Sequence, residues 1–97
     1  MDRAAVIEVL RQHHGELEAE FGVRRLALFG SAARDQLRDD SDVDILVELA
    51  GPVSYDRYFS LLERLERLLG RRVDLATVRG LKPRARERVE RDLVHVA

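Results

Sequence analysis

Stretches with helical periodicity alternate with short β-rich runs along a chain of 97 residues, of which 45% are hydrophobic and 36% charged. That alternation predicts an α/β (α+β) fold, a small mixed sheet of three to four strands packed against about four helices. The length suffices for one hydrophobic core and not for two, so residues 1–97 read as a single domain. No repeat, low-complexity segment or internal linker interrupts them.

The elements follow in order. From about Arg3 to Glu20 the side chains Ile7, Leu10, His14, Leu17 and Phe21 recur at three or four residues, and Gly22 supplies a stop. Leu26 to Phe29 is a short apolar run between helices, expected to be a buried strand. Ala32 to Leu37 suits a brief helix whose N-terminus would face Gly30-Ser31. Val43 to Leu49 alternates: Val43, Ile45, Val47 and Leu49 face one way, Asp42, Asp44, Leu46 and Glu48 the other. Gly51-Pro52 breaks the chain, and Ser54 offers an N-cap. An amphipathic helix then carries Tyr58, Leu61, Leu62, Leu65, Leu68 and Leu69, and Gly70 closes it. Arg72 to Thr77 is a third strand. A last helix has Pro83 near its first turn, and Val94-His95-Val96 can add an edge strand.

The chemistry concentrates in two motifs. Leu28-Phe29-Gly30-Ser31 places a Gly-Ser turn after a strand, and ten residues later Asp42-Val43-Asp44 sets two carboxylates at i and i+2. Such side chains leave one face of a strand roughly 6–7 Å apart. They resist ionising together unless a cation sits between them. Mg²⁺ suits that arrangement, because it takes one or two carboxylates and fills its shell with substrate phosphates. The turn offers backbone N–H groups and a hydroxyl to those phosphates. Together the motifs point to phosphoryl or nucleotidyl transfer. Two-metal sites of this kind need a further carboxylate. Asp74 is the best placed, since Val73 and Leu75 would turn to the core and leave it on the opposite face. Glu48 shares the face of Asp44 but lies about 13 Å along the strand.

Gly30-Ser31, ten residues, then Asp42-x-Asp44 resembles the signature of the DNA polymerase β-like nucleotidyltransferase superfamily. Phe29-Gly30-Ser31-Ala32-Ala33-Arg34 with Ser41-Asp42-Val43-Asp44-Ile45-Leu46-Val47 resembles its smallest branch, the minimal nucleotidyltransferases (MNT), over nearly the whole chain. The resemblance implies a nucleotidyltransferase fold in which the Asp74 strand lies beside the Asp42–Asp44 strand. It also implies catalysis and metal binding by Asp42, Asp44 and Asp74, with Gly30, Ser31 and Arg34 at the nucleotide. The cofactor expected is Mg²⁺, as two ions, with ATP as substrate and Asp74 as general base. Many of the family are antitoxins paired with HEPN-domain toxins. The implied reaction is therefore adenylylation of a HEPN ribonuclease toxin on a tyrosine hydroxyl, and the alternative is an antitoxin that masks the toxin by contact. Family members commonly carry Gly where this chain has Asp35.

Other features narrow the reading. A net charge of −1 gives no general affinity for nucleic acid. The absence of cysteine removes disulfides and thiolate sites. Neither a signal-peptide core nor an apolar run of membrane-spanning length is present, so a cytoplasmic location and no membrane are expected. Arg34 can bind triphosphate or pair with Asp35 or Asp39. His13, His14 and His95 read as surface or core-edge residues, and Tyr58 as part of the leucine stripe rather than a base-stacking platform. Arg84, Arg88 and Arg91 run along one face of the last helix and suggest a phosphate-binding stripe, but Glu87, Glu90 and Asp92 dilute it and favour a solvated face.

Overall fold

Asp2 caps the first helix, α1 (Arg3–Phe21), by accepting the Ala5 N–H at 2.9 Å, and Gly22 ends it in the left-handed conformation. The computed structural model describes all of residues 1–97. The remaining elements are β1 (Val23–Leu28), α2 (Gly30–Ala33), β2 (Val43–Leu49), α3 (Tyr55–Leu69), β3 (Val73–Thr77), α4 (Pro83–Arg91) and β4 (Val94–His95). Ser54 caps α3 by accepting the Arg57 N–H, and Pro83 occupies the first turn of α4, as their positions in the sequence predict.

Two elements depart from expectation. Strand β1 starts three residues earlier than the apolar run, because Arg24 and Arg25 extend the ladder with exposed side chains and a register shift between Val23 and Arg25. Helix α2 starts earlier and is a single turn rather than reaching Leu37. Asp35, two residues after it, holds φ at +59° and stops the helix. That conformation favours glycine, the residue common at this position in the resembled family. Here Asp35 is tied down instead: its Oδ1 accepts the Arg3 N–H at 2.8 Å, and the Arg3 guanidinium donates to the Ala33 carbonyl at 2.8 Å.

The sheet order is β3-β2-β1-β4. Strand β1 runs antiparallel to both β2 and β4, and β2 runs parallel to β3 with Asp44 directly beside Asp74. On one face α1 and α3 enclose a cluster of 19 buried residues, including Leu10, Leu17, Leu26, Ile45, Leu61 and Leu65. Each such Leu or Ile contributes about 1.5–3 kcal/mol by leaving water. Helix α4 lies over the other face, where Val89 is its one buried side chain. No helix is long and apolar enough to cross a membrane.

Candidate active site

The turn out of β1 sets the geometry of the site. The Phe29 N–H still donates to the Asp44 carbonyl at 3.1 Å, so the chain leaves the sheet immediately beside Asp44. Gly30 then turns with φ at +60°. A Cβ at this residue would stand 2.2 Å from Asp44 Oδ2, so the carboxylate packs against glycine because no side chain is there. The Ser31 backbone N–H lies near the Asp44 carboxylate and favours its charged form. The expected anion site at the head of α2 is reduced, because a single turn has little dipole.

Asp44 and Asp74 are adjacent across the parallel ladder, with their carboxyl groups close enough to perturb each other. Burial, then the carboxyl of Asp74, and then the charge of Asp42 raise the Asp44 carboxyl to about 6; the Ser31 N–H only partly offsets this. Asp42 is exposed on a neighbouring surface with Asp39, Asp40 and Arg72. No group of three His, Cys, Asp or Glu side chains is placed to hold a metal ion. The donor set in contact is thus a pair of carboxylates with Asp42 beyond it. Such a pair still fits Mg²⁺, which needs only one or two protein carboxylates. A divalent ion would also offset the burial and the repulsion that raise Asp44.

A cavity of about 540 Å³ opens over this pair, within the size range of small-ligand sites. Gly30, Arg34, Asp44 and Asp74 all line it. Ser31 lines a separate depression with Gln36, Arg38 and Ser41 and is absent from the cavity over the acids. Arg34 pairs with neither Asp35 nor Asp39. Its guanidinium reaches Asp92, at the end of α4, at 2.8 Å, and its Nε donates to Gln36 at 3.0 Å. Arg88 and Arg91 of α4 also line the cavity. On sequence both read as part of a solvated face; their spacing of three is the available signal, and the flanking acids obscure it. Tyr58 donates its hydroxyl to the Leu75 carbonyl, and burial followed by the charge of Asp74 pushes its own pKa up. Glu48 is engaged by Arg25 at 2.9 Å, away from the acid pair. His13 pairs with Glu16 on α1, and His95 lines a smaller, neighbouring cavity.

Comparison with known proteins places the chain in a family and agrees with its fold. The family model described as a nucleotidyltransferase domain matches residues 10–96. A protein adenylyltransferase of Thermococcus cleftensis is 43% identical over 88 residues, covering 91% of this chain and 89% of that protein. A solved structure provisionally described as a minimal nucleotidyltransferase superposes with a TM-score of 0.81 at 39% identity, over 97% of this chain and 95% of that one. A Shewanella oneidensis complex, described as a tri-AMPylated HEPN toxin with an MNT antitoxin, superposes with a TM-score of 0.69 at 19% identity, over 94% of this chain and 71% of that one. This last likeness is one of fold.

Proposed function

The chain belongs to the nucleotidyltransferase-domain family, in its minimal (MNT) branch, and from that premise we propose that it transfers AMP from ATP to a hydroxyl of a protein acceptor. The observation that carries this reading is the Asp44–Asp74 pair packed on Gly30 beneath a cavity edged by Arg34. The name of the Thermococcus relative supports adenylyl as the group and protein as the acceptor. The Shewanella complex supports a HEPN toxin as that protein and an antitoxin role; a tyrosine hydroxyl is the acceptor expected from the family resemblance.

Asp44 and Asp74 would hold Mg²⁺, with Asp42 adding negative charge from just beyond the pair. Bound there, the ion would neutralise charge on the phosphates and favour ionisation of the acceptor hydroxyl. The chain's own residues do the rest. Gly30 leaves room for phosphate oxygens where a side chain would collide. Arg34 offers a planar, two-pronged donor to them. Asp74, exposed on the edge strand, is available to accept the acceptor proton. A bond forms between the acceptor oxygen and the α-phosphorus, the α–β bridge bond breaks, and pyrophosphate leaves.

The test is intact-mass spectrometry of the HEPN toxin after incubation with this protein, ATP and Mg²⁺. Wild type should add adenylyl mass, and the toxin should stay inactive after the protein is removed. Asp42→Ala combined with Asp44→Ala should abolish both effects. An unmodified toxin that is nevertheless neutralised by the double variant would mean masking by contact and would overturn the catalytic reading.

A further inference from the structure

Three guanidinium groups surround the cavity above Asp44 and Asp74, and two of them have no partner. Arg88 and Arg91 line it from α4 and take part in no ion pair or side-chain hydrogen bond. Their neighbours on the helix behave differently. Arg86 donates to the Val78 carbonyl and lines the smaller cavity, while Arg84 lines neither. The third group, Arg34, enters from the end of α2 and is held at 2.8 Å by Asp92, the residue that follows α4. Both partners are partly open to solvent, 46% and 30% exposed, so the pair is weakly held. Within one cavity the sheet floor carries two carboxylates and the wall three guanidiniums, with Asp92 the one acid among them.

We propose that Arg88 and Arg91 bind the triphosphate, and that Asp92 latches Arg34 until the triphosphate takes Arg34 from it. The inference rests on the nucleotidyl-transfer reading and adds to it the residues of α4. A polyphosphate carries several negative charges and many acceptor oxygens, so it outcompetes a single exposed carboxylate for a guanidinium. Arg88 and Arg91, already unpaired, lose no internal partner on binding it. Helix α4 is suited to respond, because Val89 alone anchors it in buried contact with the sheet. In this arrangement α4 reports the phosphate chain, while the sheet acids hold the metal.

Calorimetric titration of Mg²⁺–ATP and of AMP into wild type and single variants, each first checked for folding by circular dichroism, tests this. Arg88→Ala and Arg91→Ala should each raise the Kd for ATP about tenfold, the loss of a charge-assisted contact to phosphate. Binding of AMP, which lacks the β- and γ-phosphates, should change far less. Arg84→Ala removes the same charge from the same helix outside the cavity and should leave the Kd for ATP within about twofold. Asp92→Asn keeps the shape of the helix end but frees Arg34, and should tighten ATP binding about two- to threefold, a gain of the size expected when an exposed ion pair no longer competes. Wild-type affinity in both Arg88→Ala and Arg91→Ala overturns the proposal while leaving nucleotidyl transfer intact. So does an equal loss for Arg84→Ala, which would reduce the effect to net charge. If Asp92→Asn weakens ATP, the latch is overturned. If wild type binds no ATP at all, the nucleotidyl-transfer reading fails, and the triphosphate wall with it.

Discussion

The face of the sheet turned to α1 and α3 carries Val43, Ile45, Val47, Val73 and Leu75, all buried; the face turned to α4 carries Asp44, Leu46, Asp74 and Ala76, none of them fully buried. The same two strands therefore serve two ends, and the alternation of side chains divides the work residue by residue. Ile45 belongs to the 19-residue cluster and stabilises the fold. Asp44, its neighbour in sequence, is held against a like charge and destabilises the metal-free fold. What one face gains by excluding water is spent on the other, where mutually repelling carboxylates persist because the surrounding structure over-determines their place. A one-residue slip of β2 would exchange the faces and lose both core and site.

The contrast between the faces is most vulnerable at Gly30, where the two ends meet. Gly30→Val adds a Cβ 2.2 Å from Asp44 Oδ2 and places a β-branched residue at φ +60°. Adenylyl transfer should fall by at least about 100-fold, the scale expected when reacting groups are displaced by an ångström. Activity within about threefold of wild type in the toxin mass assay would refute the close packing of the carboxylate on the turn.

Ile45→Ala and Asp44→Asn, one residue apart, should move stability in opposite directions. Ile45→Ala should cost about 2–5 kcal/mol in urea unfolding, since it empties a fully buried site. Asp44→Asn should stabilise the metal-free protein near neutral pH. The sign follows from linkage: a carboxyl raised from 3.8 to about 6 binds more protons folded than unfolded, so wild-type stability falls as pH rises through that window. Discounted for solvent screening of a half-buried group, the variant should gain roughly 1–2 kcal/mol at about pH 7.5 with chelator present. The gain should shrink toward zero as pH falls below 3.8, where the wild-type carboxyl is protonated in both states. A gap independent of pH would remove the repulsion from the account.

The smallest effect is expected at Asp35. Asp35→Ala keeps the left-handed strain and loses the bond to the Arg3 N–H, so about 1–2 kcal/mol of stability should go. Asp35→Gly loses the same bond but relieves the strain, and should stay within about 0.5 kcal/mol of wild type. Thermal melts of both variants decide it: equal losses would mean that the backbone conformation carries no cost.

The sequence foresaw much of the fold because its signals are local. The leucine stripe of α3, its Ser54 cap and its Gly70 stop lie within one helix, and the period-two pattern of β2 is complete in seven residues. The boundaries of β1 and α2 were less legible. Arg24 and Arg25 extend a ladder that only β2 provides, and α2 is ended by an Asp35 conformation that depends on Arg3, 32 residues away.

For the site, the Gly30-Ser31 turn, Asp42 and the Asp44 of β2 were written in motif spacing, and Asp74 of β3 in the alternation around it. That Asp44 stands directly beside Asp74, with Asp42 outside the cavity, was decided by the parallel register of two strands separated by a whole helix. That Arg34 meets Asp92 across 58 residues, and that Arg88 and Arg91 line the cavity over the acids, was decided by how α4 lies on the sheet. By itself the chain determined which residues carry charge and on which face of each element, since periodicity and turn chemistry act over a few bonds. Which charges meet depends on burial shared among distant segments, and that exists only once the sheet has formed.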